Sequence, residues 1–223
     1  MKKVNYFLGV AIFATVSLTS CGNKCNKNSD IQQNNSCLIF TSAIDSKFPL
    51  RLNEINLQDE SNIIHLNDGI NSKIEETIKE YASEIDFYDT TQTYKDIYIN
   101  TIRLHDSLQT IFLVLLEHFP TGYVNSIVLF YDNVEKEFAD TTFDFNLWAL
   151  YHYEEKNFKP TYLKTYFKIN TPEIELVDYD KDGINDYKFT RLWHNGTFNA
   201  IHTTILTIRN KQIETLYFKE LPI

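Results

Sequence analysis

The chain has 223 residues, 43% of them hydrophobic, and a formal charge of −9. This is the composition of an ordinary folded protein and excludes a disordered or collagen-like chain. Six Gly and five Pro are few for the length while 14 Tyr and 16 Phe are many, which predicts one aromatic-rich β body with few flexible linkers. The 30 acidic residues outnumber 21 basic ones and set up a field that repels phosphate backbones, so nucleic acid is not expected as a partner.

Met1-Lys2-Lys3 gives the chain a positive start, and Val4 to Val16 is an apolar run broken by Asn5, Gly9 and Thr15. That is the layout of a secretory signal. It is too short to span a bilayer, which takes about 20 apolar residues. Leu18-Thr19-Ser20-Cys21 closes the run and resembles the lipobox of bacterial lipoproteins. The resemblance implies that Cys21 receives a diacylglycerol and becomes the first residue after cleavage. Residues 1–20 are then a signal peptide, and acyl chains hold the protein to the membrane without a spanning segment. The expected location is the bacterial cell envelope, with the outer membrane favoured and the domain on its periplasmic or surface face. Losing the first 20 of 223 residues leaves 203, with 19 basic against 30 acidic side chains, a net −11.

Residues 21–37 read as the lipidated cysteine and a tether, since Gly22 to Ser36 is rich in Asn, Lys, Ser and Gln. Cys25 and Cys37 are the remaining thiols. In an oxidising compartment they form a candidate disulfide, and lying in a tether without pairing is the other reading.

From Leu38 onward apolar residues return, and residues 38–223 read as a single globular domain of the α+β class. Ile70, Ile74, Ile78, Tyr81 and Ile85 recur at steps of four and three, which predicts an amphipathic helix over about 68–85, packed on a sheet and capped by Asn67 or Asp68. Beyond it the period changes to two. Strands are predicted over Tyr94–Leu104, Leu108–His118, Tyr123–Tyr131, Thr142–Tyr153, Thr161–Ile169, Glu173–Val177, Tyr187–Trp193, Ala200–Arg209 and Gln212–Phe218. Turn composition at His105-Asp106-Ser107, Asn133–Glu137, Glu154–Asn157 and His194-Asn195-Gly196 predicts a mostly antiparallel sheet of sequential hairpins, without β-helix-β crossovers.

One string carries chemistry. Asp178-Tyr179-Asp180-Lys181-Asp182-Gly183-Ile184-Asn185-Asp186 reads D-x-D-x-D-G-x-x-D. Calcium takes six to eight hard oxygen ligands, and side chains at alternate positions of a curled loop converge on one point. Asp178, Asp180 and Asp182 are candidate carboxylate ligands, the Ile184 carbonyl a fourth, and Asp186 a fifth, direct or through water. Gly183 permits the sharp turn. The twelfth position, where an EF-hand has its bidentate Glu, is Phe189, and the flanks read as strands rather than helices. In its strand–loop–strand setting the segment resembles the calcium loops of FG-GAP and VCBS-type repeats of extracellular adhesion and carbohydrate-binding proteins, over residues 174–208 and in one copy only. Periplasmic lysozyme-inhibitor-like proteins offer a weaker likeness. An acidic β-turn needing Asp and Gly only for backbone geometry is the competing reading. Four carboxylates in nine residues repel one another unless a cation or protons compensate, so the loop is expected to hold a structural Ca²⁺.

Catalytic motifs are missing from the sequence: it contains no G-x-S-x-G, H-E-x-x-H, C-x-x-C or P-loop string. No catalytic residue is assigned, although paired carboxylates of a hydrolase are a matter of three-dimensional separation. Trp148, Tyr162, Tyr166 and Trp193 are a candidate aromatic surface for a glycan or protein ligand, against the commoner use of such residues as core. The expected function is a lipid-anchored, calcium-stabilised binding module. An inhibitor or immunity-type protein, whose acidic surface engages a basic enzyme such as a lysozyme, is the alternative.

Overall fold

The computed structural model describes residues 37–57, 60–84, 96–119, 123–145, 149–153, 160–165, 172–194 and 198–223. Among the described residues the fold is α+β, mostly strand with one long helix. In chain order it runs β1 (Cys37–Ser46), β2 (Leu50–Arg51), α1 (Asp68–Glu84), β3 (Asp96–His105), β4 (Gln109–Phe119), β5 (Tyr123–Asp132), β6 (Glu137–Phe138), β7 (Phe143–Asp144), β8 (Ala149–Tyr153), β9 (Pro160–Thr165), β10 (Glu173–Val177), β11 (Asp186–His194), β12 (Asn199–Arg209) and β13 (Gln212–Pro222). Two single-turn 3₁₀ helices, Leu52–Glu54 and Glu60–Asn62, lie between β2 and α1.

Among the described residues two sheets form. The larger has the path β1-β3-β4-β5-β8-β9, with β6 and β7 also on β5. The smaller has the order β13-β12-β11-β10-β2. The run of antiparallel neighbours from β3 to β5 and from β10 to β13 is the hairpin succession that the period-two pattern predicts.

The expectation of hairpins alone is corrected at β1. This strand pairs parallel to β3, from Cys37 opposite Asp96 to Ser46 opposite Leu104, so the larger sheet is mixed and β1-α1-β3 is a β-helix-β crossover. Parallel neighbours need a connection of a dozen residues or more, usually through a helix, and residues 47–95 supply it. Its first part, β2, crosses to the second sheet and pairs with β10. Cys37, the expected end of the tether, is the first residue of β1.

The layers follow from side-chain alternation. Ile97, Ile99, Phe112, Val114, Leu116, Ile127 and Leu129 project from one face of the larger sheet and enclose Ile74 and Ile78 of α1, both fully buried. Burying each such isoleucine contributes about 1.5–3 kcal/mol, which places the helix without help from its propensity. Asn67 is the cap: its side-chain oxygen accepts the Ile70 N–H at 2.9 Å. The opposite face, with Ile102, Leu104, Ile111, Leu113, Leu115, Val128 and Phe130, packs against Ile174, Tyr187, Phe189 and Leu206 of the smaller sheet. Phe189 is the aromatic hub of that interface, 4.8 Å from Phe143, 5.4 Å from Phe145 and 6.5 Å from Phe130 between ring centres.

The predicted strand 142–153 is two pieces, β7 and β8, each paired with β5. No helix of the described residues is long and apolar enough to cross a membrane.

Candidate metal centre

Strands β10 and β11 pair antiparallel until Val177 meets Asp186, and the eight residues between them form the acidic loop. Two left-handed residues, Lys181 at φ 63° and Gly183 at φ 85°, bend it back on itself. Only glycine adopts such a φ without a Cβ penalty, so Gly183 serves the sharp turn that the spacing predicts. The aspartates tie the curl with their own backbone: Asp182 Oδ1 accepts the Ile184 N–H at 2.8 Å, Asp180 Oδ1 the Asp182 N–H at 3.3 Å, and Asp178 Oδ2 the Gly183 N–H at 3.3 Å.

One carboxylate oxygen from each of Asp178, Asp180 and Asp186 lies within 4.8 Å of the other two. Ligands at about 2.3–2.6 Å from a calcium ion stand at most about 5 Å apart across it, so the three oxygens fit on one coordination sphere. Asp178 and Asp180 are exposed, whereas Asp186 is only 1% exposed. Its Oδ2 accepts the Tyr179 N–H at 2.9 Å, while its Oδ1 is buried with no hydrogen-bond partner among the described residues. A buried carboxylate oxygen without a partner is costly, and a hard cation is the compensation that this all-oxygen donor set suits.

Asp182 stands apart from that trio. Its Oδ1 is used by Ile184, and its Oδ2 accepts from Arg209 Nη2 at 2.8 Å. The same nitrogen donates to Asp180 Oδ2. The Ile184 N–H and then the Arg209 guanidinium hold the Asp182 carboxyl below the usual carboxylate range. The two aspartates in turn raise Arg209. The Ile184 side chain is exposed, and its amide faces back into the loop.

The loop is also bound to the other sheet. Asn185 Nδ2 donates to Asp106 Oδ1 at 3.0 Å. Asp106 belongs to the turn between β3 and β4, where the sequence shows only turn composition. Asn133, from the turn after β5, donates to the Asp106 carbonyl at 3.1 Å and accepts from Thr110 Oγ1 at 2.8 Å. Beside this junction the Tyr187 hydroxyl is buried with no partner among the described residues. Burial first, and then the charges of Asp106 and Asp186, push it far above its ordinary value. Arg209 and Asp106 are the site residues that sequence reasoning missed. Register was the one available signal for Arg209: Tyr187 opposes Leu206, and extending that pairing past the strand end lays Arg209 against the loop.

No protein-family model, no curated protein and no solved structure matches the chain. The functional reading therefore stands on the residues themselves.

Of the other expected site residues, Cys21, Cys25, Trp148 and Tyr166 lie outside the described residues, and so do the side chains of Cys37 and Tyr162. Trp193 stacks on His202, with ring centres 5.2 Å apart and planes at 10°, so one of its faces is already covered. His202 carries Phe218 edge-on at 5.2 Å and bonds Glu220 Oε2 through Nε2 at 2.8 Å. A general base needs an open path to the proton it takes. Only 7% exposed and covered by two rings, His202 is a packed and satisfied histidine.

Proposed function

We propose that this chain is a calcium-stabilised binding module of a bacterial envelope, carried on the membrane by lipid on Cys21, with the ion acting as structure rather than as catalyst. The observation that carries the ion is the buried Asp186 carboxylate, which has one oxygen within 4.8 Å of oxygens from Asp178 and Asp180 and whose Oδ1 has no hydrogen-bond partner among the described residues. The Ile184 carbonyl and water complete the ligand set, and Asp182 joins through its Ile184-bonded oxygen. Calcium neutralises the clustered carboxylates and draws the β10–β11 hairpin into one rigid turn. Through Asn185 and Asp106 that rigidity extends to the β3–β4 turn of the larger sheet. The lipid anchor is supported by the positive start, the apolar run and the lipobox-like Leu18-Thr19-Ser20-Cys21.

Calorimetric titration with CaCl₂ and melting curves with CaCl₂ or chelator test the ion. One bound calcium per chain and a melting temperature that falls on chelation are expected. An unchanged melting curve together with no binding heat refutes the reading.

A further inference from the structure

We propose that Arg209 is a tethered cation that keeps the acidic loop closed when no metal is bound and, by its charge, limits the affinity of that loop for divalent ions. This rests on the calcium reading of the same loop.

The placement of Arg209 is fixed by the fold. It ends β12 and pairs with Gln212 across a two-residue turn, Asn210-Lys211, in which both φ angles are positive, 51° and 64°. Such a turn matches the twist of its strands. The hairpin tip is tied to the larger sheet three times. Asp140 N–H donates to the Lys211 carbonyl at 2.8 Å, Gln212 Nε2 donates to Asp140 Oδ2 at 2.7 Å, and Lys211 Nζ pairs with Glu137 at 2.7 Å. The guanidinium therefore stands on a braced support, and one of its nitrogens bridges Asp180 and Asp182. Its other terminal nitrogen lies 4.0 Å from Glu214, a second acidic group that helps to hold the guanidinium in place.

Two consequences follow. With Asp180 Oδ2 and Asp182 Oδ2 taken by Arg209, each of these residues offers a metal a single oxygen. The bidentate ligand that a twelfth-position Glu would give is replaced by Phe189, so no carboxylate in this half of the loop clasps the ion with both oxygens. A fixed positive charge this close to a dication, in near-aqueous dielectric, weakens its binding by about an order of magnitude. In the ion-free protein the same charge offsets part of the repulsion between Asp178, Asp180, Asp182 and Asp186.

The test compares the full chain with R209Q and R209K by calcium titration calorimetry and by melting in chelator. For R209Q, about tenfold tighter calcium binding and a lower melting temperature in chelator are expected. R209K retains the charge and should stay within about twofold of the parent affinity. If the parent chain binds calcium and R209Q binds it equally or more weakly, the calcium reading stands and the role of Arg209 is overturned. A gain in R209K as large as that in R209Q overturns it too, since the charge would then not be the cause. If neither the parent nor R209Q binds calcium, both readings fall. Binding by R209Q alone would overturn the calcium reading of the parent chain and, with it, the proposal that Arg209 only limits the affinity.

Discussion

Replacing Asp186 by Asn changes the buried carboxylate to a carboxamide of nearly the same shape, and its effect should reverse sign with calcium. At calcium a hundredfold above its Kd, binding to the folded form stabilises the parent by about 2.7 kcal/mol. For a domain of this size that amounts to about 5–11 °C in melting temperature. Even an outer-shell change at a metal site costs 10–100-fold in affinity. Loss of a buried ligand should therefore remove most of this gain, about 2 kcal/mol at the same calcium concentration. Without calcium the balance differs. The parent buries a carboxylate oxygen with no partner among the described residues, and a neutral amide is cheaper to bury than an uncompensated charge, while the single Asn oxygen, set in place of Oδ2, keeps the Tyr179 N–H bond. In chelator, Asp186→Asn should melt at or above the parent temperature; in calcium it should melt several degrees below. Paired calorimetric scans of both proteins in both buffers decide the matter. An equal loss in calcium and in chelator would refute the argument, because the cost of the substitution would then not depend on the ion.

Glu117, 2% exposed on β4, has a carboxyl that burial raises to about 7 from an ordinary 4.5. The folded form holds a proton there that the unfolded chain releases near 4.5, so this stabilisation is complete below about pH 4.5 and lost as the pH rises through 7. Glu117→Gln should flatten the stability profile across that window by on the order of 3 kcal/mol, and a difference in unfolding free energy between pH 5 and 8 that is the same in parent and variant by urea titration would reject the assignment. Phe189→Ala removes the ring that joins Phe130, Phe143 and Phe145, and a loss of about 3–5 kcal/mol is expected from chemical denaturation; a change below about 1 kcal/mol would show that the site collapses freely. Cys21→Ser should move the protein from the membrane fraction to the soluble one and abolish palmitate labelling in bacterial cells, whereas retention in the membrane would rule out the lipid anchor.

Legibility divided along the range of the interactions. The helix and its cap could be read because Ile70, Ile74, Ile78 and Asn67 act within a few turns of one another. The hairpins from β3 to β5 and β10 to β13 were legible for the same reason. Strand β1 was not, because Cys37–Ser46 shows no strict alternation and its partner begins 59 residues later, at Asp96. The acidic loop announced itself through spacing, yet spacing treats its four aspartates alike. Burial of Asp186 and engagement of Asp182 by Arg209 are products of packing between strands far apart in sequence. At Trp193 a cross-strand neighbour, His202, covers one ring face; no local rule encodes that neighbour.

The parallel edge strand has a consequence for assembly order. In a chain that emerges N-terminus first, β1 appears before any other described strand, but it lacks its parallel partner until β3 has followed it out, and the intervening helix must dock before the loop entropy of that long connection is offset. β1 is thus first to be born and among the last to be locked. Throughout that interval its unmet backbone groups are the part of the molecule most open to pairing with the wrong chain.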